Sequence, residues 1–467
     1  AGGRNAKALV RKDRLKKMRG RLPLFRRLRA AGARTEVLAR TGIAPAIMYG
    51  VGVTGMSNTD LHSARVICRS AFQLATRGRS LTLDLSIAGD GTDPAFRAHI
   101  QPVLFLCTAL WDSWVPRACI LRTLSGAAVR VAGLGNPWAC IKGPASAVAA
   151  TIQRLGWSIS PAKPTIWMTQ VGNIDIDMVP PRAVAELVHD AVEVWLWKQV
   201  RERNPELGSI APVPLMQPLR KLTEGRHAGA DWQPVQMGCL KAAVAGGLWS
   251  QERLCRAGLA EDATCKSCNV AVGDDAHRHY GCLSTAEFRS SYDCRAMFQQ
   301  RRAKPHLPLW SRALLPDPSW EFPSPLLEQF IVWDLAPPSG ILEGDGFGDG
   351  SGLRPQWKRV RRCGWGLVVR TPGRGVTARL HGPLPGWQQE VPAAESMALL
   401  IYLQHFGMGQ PEFITDCMFV VETFEKGPAV SSTGWFVFAG IWRLIWRKVA
   451  DIGFSNIKVR WIPAHTS

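Results

Sequence analysis

"FGDGSG", Phe347 to Gly352, sets one carboxylate in a run of residues almost without side chains, a few positions after the apolar "GIL" of Gly340 to Leu342. A single Asp among glycines is ordinarily a turn residue, because Asp hydrogen-bonds its own backbone and Gly supplies positive φ. The stretch gains meaning only if further acids lie downstream where a sheet and its helix can bring them to it. The chain beyond Gly352 has the texture of short strands and helices. "RCGWGLVVRT" alternates Cys363, Trp365, Leu367 and Val369 at period two, and "GVTARLHGPL" comes after the turn "PGRG", which predicts a hairpin. "VPAAESMALLIYLQHF" reads as a helix with Pro392 in its first turn, "EFITDCMFVV" as a strand, "IWRLIWRKVADIGF" as a helix and "NIKVRWIPA" as a last strand. The expected order is three strands, helix, strand, helix, strand.

On that order Asp349 ends the first strand, Glu395 lies one turn into the helix, and Asp416 ends "FITD". The three can converge, and three unpaired acids at one spot are intolerable unless divalent cations bind them. Without metal, one of them is expected to keep a proton near neutral pH. Such a trio is how a two-metal phosphodiesterase site is built, with two Mg²⁺ or Mn²⁺ ions about 3.5–4 Å apart. Asp345 in "EGDGFGDGSG" and Glu390 ahead of the helix are rival acids. The first reads as a solvated loop residue and the second precedes the helix.

The chain around these elements has 467 residues, of which 46% are hydrophobic, enough for two or three domains with real cores. Its formal net charge of +20 favours a polyanionic partner. Residues 1 to 40 hold fourteen Lys/Arg against two acids, which predicts RNA or DNA binding through this basic arm with a steep salt dependence. Leu15, Leu22, Leu24 and Leu28 could give the arm an interrupted amphipathic helix. No run of about 18 apolar residues predicts a membrane span, and no membrane partner is expected. The basic start lacks the apolar segment of a secretory signal. Twelve cysteines, several in apolar runs, read as reduced residues of an intracellular protein. The chain starts without Met and stops after "RWIPAHTS", as a piece of a longer reading frame would.

Residues 41 to 235 read as mostly helical. "SNTD" at Ser57 to Asp60 resembles a capping box, and the helix after Pro180 and Pro181 keeps Val184, Leu187, Ala191 and Trp195 on one face. In residues 236 to 300, "CKSCNVAVGDDAHRHYGC" spaces Cys265, Cys268, His277 and Cys282 as a closed structural Zn²⁺ knuckle, with His279 as an alternative third ligand. Residues 301 to 337, rich in proline, read as a linker.

"FGDGSG", "QQEVPAAESMAL", "FITDCMFVV" and "KVRWIPAHTS" resemble, in order and spacing, the motifs of type 1 ribonuclease H domains. The resemblance covers residues 338 to 467. It implies an α/β ribonuclease H-like domain with a mixed five-stranded sheet and flanking helices, preceded by a mostly α-helical region with a zinc knuckle. It also implies metal-dependent hydrolysis of the RNA strand of RNA–DNA hybrids, with Asp349, Glu395 and Asp416 on Mg²⁺ or Mn²⁺. His465 would assist water delivery or product departure. The family's further Asp would lie beyond Ser467. The remaining chain resembles the carboxyl-terminal part of a non-LTR retrotransposon polyprotein, with a thumb-like region at "GIAPAIMYGVGVTGMSNTDLHSARV" and a Cys-Cys-His-Cys knuckle. That likeness implies a nuclear location. No "YxDD" box occurs, so no polymerase activity is expected. The second reading is a non-catalytic nucleic-acid-binding remnant of a defective retroelement.

Overall fold

The structure is a computed structural model that describes residues 4–72, 78–170, 172–223, 232–290, 295–353, 358–407 and 409–464. The chain forms two compact units, Ala1–His99 with His189–Pro318, and Ile100–Val188 with Ser319–Ser467. Among the described residues no helix is long and apolar enough to cross a membrane.

The first unit is helical. Its basic start forms the helices Arg4–Gly20 and Leu22–Ala30, the second begun by Pro23 in its first turn. Leu15, Met18 and Phe25 are buried, whereas Leu24 is exposed. Lys16, Lys17, Arg19, Arg26 and Arg27 remain in solvent. Ser57 caps the helix Asn58–Phe72, its Oγ accepting the Asp60 N–H at 3.2 Å, and that helix buries Leu61, Ala64, Ile67 and Ala71. Two buried carboxylates tie the helices together. Asp93 takes the Arg65 guanidinium at 2.8–3.1 Å, and Asp84 lies between Arg69 at 2.7 Å and Arg79 at 2.6 Å. Removing one partner of such a pair strands a buried charge, which is why they lock position so firmly.

Among the described residues the second unit contains two sheets. A small antiparallel one, β1 (Ser158–Ile159), β2 (Ile166–Thr169) and β3 (Gly172–Asp175), interrupts the stretch expected to be mostly helical. The larger sheet comprises β4 (Val332–Leu335), β5 (Asp345–Leu353), β6 (Arg362–Thr371), β7 (Gly375–Pro383), β8 (Glu412–Thr415) and β9 (Lys458–Trp461). Its order is β4-β7-β6-β5-β8-β9, antiparallel except for the parallel pairs β5–β8 and β8–β9. It is mixed, as expected, but has six strands rather than five. The sixth is β4, from the proline-rich stretch read as a linker, which pairs with the free edge of β7.

Two further local expectations give way. "FGDGSG" is not a turn, for Asp349 sits in mid-strand opposite Gly366. "EFITDCMFVV" is a strand only to Thr415. Thr415 Oγ1 accepts the Cys417 N–H at 3.0 Å, and Met418–Lys426 is a helix burying Val420, Val421 and Phe424 at helical spacing.

Cys363, Trp365, Leu367 and Val369 of β6 point into a core shared with Ala378 and Leu380 of β7 and with the helices Val391–His405 and Ala439–Ile452. Over β5 that core has no strand side chains. Added Cβ atoms at Gly346, Gly348 and Gly350 would meet the Tyr402 ring at 2.7 Å, the Phe413 ring at 2.3 Å and the Glu395 backbone nitrogen at 2.9 Å. The helix therefore rests on bare backbone.

Gly348→Ala should destabilise the fold by about 1–3 kcal/mol, the cost of overpacking a tight core. Gly366→Ala, where a Cβ meets nothing within 4 Å, should change stability by no more than about 0.5 kcal/mol. Urea unfolding of the two variants measures both, and equal losses would contradict the close-packing account.

Candidate metal centres

The thiol cluster is built by a short hairpin. Thr264 and Val272 bridge, the Cys265 N–H donates to Ala271 O at 2.8 Å, and the Asn269 N–H donates to Cys265 O at 2.8 Å. Asn269 takes the left-handed conformation (φ 51°) that lets Cys265 and Cys268 face one point. The other two ligands bracket a single turn, His277–Gly281, which His277 opens and Cys282 follows, and which is fixed by Asp274 Oδ1 on the His277 N–H at 2.6 Å and by the Cys282 N–H on His277 O at 2.7 Å. The ligand atoms of Cys265, Cys268, His277 and Cys282 all lie within 4.8 Å of one another.

A tetrahedral zinc ion with Zn–S of about 2.3 Å sets its sulfurs ~3.8 Å apart. The Cys265 and Cys282 sulfurs are 3.8 Å apart, and Cys268 Sγ is 3.3 Å from His277 Nε2. The donor set and its spacing thus fit a Zn²⁺. Backbone N–H groups of Cys268 and Ser267, helped by His277 and Cys282, pull the Cys265 thiol down to about 6, toward the thiolate a cation needs. His279 is not among the four converging ligands and instead packs its ring edge-on to Tyr280. Two histidines two residues apart on one turn face different ways, so spacing alone did not separate them.

The second centre lies where β8 ends. Gly346 pairs with Phe413 and Phe347 with Ile414, and continuing that parallel register two residues sets Asp349 level with Asp416, one step past Thr415. Glu395 approaches from the helix, and the ligand oxygens of Asp349, Glu395 and Asp416 lie within 4.8 Å of one another. Asp349 and Asp416 are exposed, while Glu395 is only 2% exposed. Its two oxygens are fixed by different donors, the Gly350 N–H at 2.7 Å on Oε1 and the Thr415 hydroxyl at 3.1 Å on Oε2. The Trp461 indole N–H donates to the Asp416 carbonyl at 2.9 Å, bracing the end of β8.

Glu395 is pushed up to about 7. Burial is the main cause, with the charges of Asp349 and Asp416 adding to it and the two hydrogen bonds opposing it. Repulsion among the acids, the cause expected from sequence, comes second to desolvation. The donor set of clustered carboxylate oxygens suits Mg²⁺ or Mn²⁺. Asp345 and Glu390 lie outside the group. Asp345 instead acts on Tyr402, and Glu390 faces Arg361 at 3.9 Å. His465 falls outside the described residues. Sequence reasoning missed Thr415 and the Gly350 amide, although a hydroxyl directly before Asp416 was there to be noticed.

Purified protein should carry one Zn²⁺ per chain, lost in Cys268→Ala and in His277→Ala but kept in His279→Ala, as metal analysis reads out. The acidic centre has its own signature. Because Glu395 is raised above its ordinary 4.5, the metal-free fold keeps its full stability below that value and loses on the order of 2–3 kcal/mol as pH rises through about 7. Cation binding needs the ionised form, so the rise in Tm caused by Mg²⁺ should be larger at pH 8 than at pH 6. Glu395→Gln should flatten both trends. Thermal melts across pH with and without Mg²⁺ test this, and an unchanged metal response in that variant would remove Glu395 from the centre.

No protein-family model matches the chain, and no curated protein does. Among solved structures it is similar over 27% of its length to the crystal structure of prototype foamy virus protease-reverse transcriptase, with 21% identity and a TM-score of 0.23. The chain spans 18% of that protein's length.

Proposed function

We propose that the second unit carries a ribonuclease H-like domain, and that the protein hydrolyses the RNA strand of RNA–DNA hybrids as a metal-dependent endonuclease within a retroelement polyprotein. The observation that carries this reading is the meeting of Asp349, Glu395 and Asp416 at the end of the parallel β5–β8 seam, in the order and on the elements that the motifs lead one to expect. Two divalent cations held there would activate the attacking water and stabilise the leaving oxygen. Water attacks phosphorus, the bond to the 3′-oxygen breaks, and the products carry 3′-hydroxyl and 5′-phosphate ends.

The protein's own groups orient the site. The Gly350 amide and the Thr415 hydroxyl hold the two oxygens of Glu395, so the carboxylate cannot rotate when the cation load changes. Asp349 and Asp416, being exposed, are reachable by a phosphodiester backbone. The exposed cations of the Arg4–Gly20 and Leu22–Ala30 helices would hold RNA or DNA by its phosphates, and the zinc knuckle would keep its part of the first unit folded.

The test is cleavage of a labelled RNA–DNA hybrid in Mg²⁺ or Mn²⁺. Cleavage confined to the RNA strand should fall by at least about 10³-fold in Asp349→Asn and in Asp416→Asn. Tight, salt-sensitive hybrid binding without any cleavage would favour the non-catalytic reading instead.

A further inference from the structure

A third constellation of ligand-type side chains lies in the first unit and takes no part in the proposed hydrolysis. His189 and Glu193 are four residues apart on the helix Pro181–Arg203, hence on one face, with Asp190 beside them. One ligand atom from each lies within 4.8 Å of the others. A fourth acid, Asp90, comes from the short turn Asp90–Thr92.

The imidazole of His189 stands between two carboxylates. Its Nε2 is 3.7 Å from Asp90 Oδ2, and its Nδ1 is 3.7 Å from Asp190 Oδ1. Both distances exceed a hydrogen bond, and that between Nδ1 and Asp190 approaches the ~3.0–3.4 Å that separates two ligands on a cation with metal–ligand bonds of about 2.1 Å. The two sides of the ring are not equivalent. Asp90 is clamped from behind, because Arg220 donates through Nη2 to Asp90 Oδ1 at 2.5 Å and through Nε to Ser86 O at 2.7 Å. Phe96 stacks on the imidazole, 4.4 Å between centroids at 25°, and fixes its plane. A carboxylate held close to the far nitrogen of an oriented imidazole raises the basicity of the ring. Nδ1 is the ring nitrogen on the Asp190 side, and Nε2 the one on the side of Asp90.

We infer that His189, Asp190 and Glu193 form a site for a divalent first-row transition cation, with the anchored Asp90 carboxylate on the opposite side of the ring. One imidazole and two carboxylates, gathered on one helix, leave coordination positions open to water or to a ligand. The imidazole favours a transition cation such as Mn²⁺ over Mg²⁺ and so separates this site from the all-carboxylate centre by metal preference.

The experiment uses the full chain with zinc in its knuckle and with Asp349→Asn and Asp416→Asn in place, so that the other carboxylate centre is silent. Mn²⁺ is titrated in and followed by electron paramagnetic resonance, with pulsed measurements for coupling to ring nitrogen. One Mn²⁺ per chain with an imidazole ¹⁴N coupling is expected, zinc staying at one per chain. His189→Gln should abolish the coupling and weaken binding at least tenfold, and Asp90→Asn should weaken it by about 10- to 100-fold while retaining the coupling. Glu193→Gln, which leaves the imidazole in place, serves if His189→Gln fails to fold, and should weaken binding at least tenfold. No bound Mn²⁺ up to millimolar concentration overturns the inference. So does bound Mn²⁺ without nitrogen coupling, or affinity unmoved by the substitutions.

Discussion

The closeness of the helix Val391–His405 to β5 governs the larger sheet. Every second residue of β5 from Gly346 to Gly350 lacks a side chain, and the helix uses the space, with Tyr402 and the backbone of Glu395 standing where Cβ atoms would be. Larger residues would hold the two elements apart at the ordinary distance of helix-on-sheet packing. Glu395 would then withdraw from the Gly350 amide and from Thr415. Asp349 belongs to the alternate set of positions and stays exposed, so one strand supplies both the bare contact surface and the outward acid.

The protein handles buried negative charge in contrasting ways. Asp84 is fully buried and meets two guanidinium groups, so its charge is balanced by the protein itself. Glu395 is as deeply buried, but its hydrogen bonds come from neutral donors and the charges acting on it, from Asp349 and Asp416, are both negative. The first arrangement is complete and structural. The second is complete only with a proton or a cation, and this difference distinguishes a strut from a site.

How much of this was legible in the sequence depends on which forces are local. The alternation from Cys363 to Val369 was readable because period two states directly which side is buried. Asp349, Glu395 and Asp416 were readable because their order along strand, helix and strand fixes where they can meet. The glycine stretch misled because Asp and Gly favour turns locally, whereas strand pairing along the whole of β6 overrides that preference. The helix Met418–Lys426 reads as strand in the sequence because "FVV" is apolar and β-branched, and only the cap from Thr415 and the wider spacing to Phe424 correct it. His277 could not be chosen over His279 without the turn that aims them apart. β4 was hidden by the prolines around it and by its four-residue length.

That last strand changes how the sheet is to be handled at the bench. Val332 pairs with His381 and Trp333 with Leu380, while upstream the Gly386 N–H donates to Leu326 O at 2.7 Å and the Trp333 ring packs edge-on against His405. The proline-rich stretch is thus a selvedge sewn along β7. A fragment trimmed at residue 338 would uncover the edge of β7 from Arg379 to His381, a ready template for pairing between molecules. A cut upstream of Ser319, where the chain re-enters its second unit, keeps that edge paired, although the unit's other part, Ile100–Val188, then has to be supplied with it.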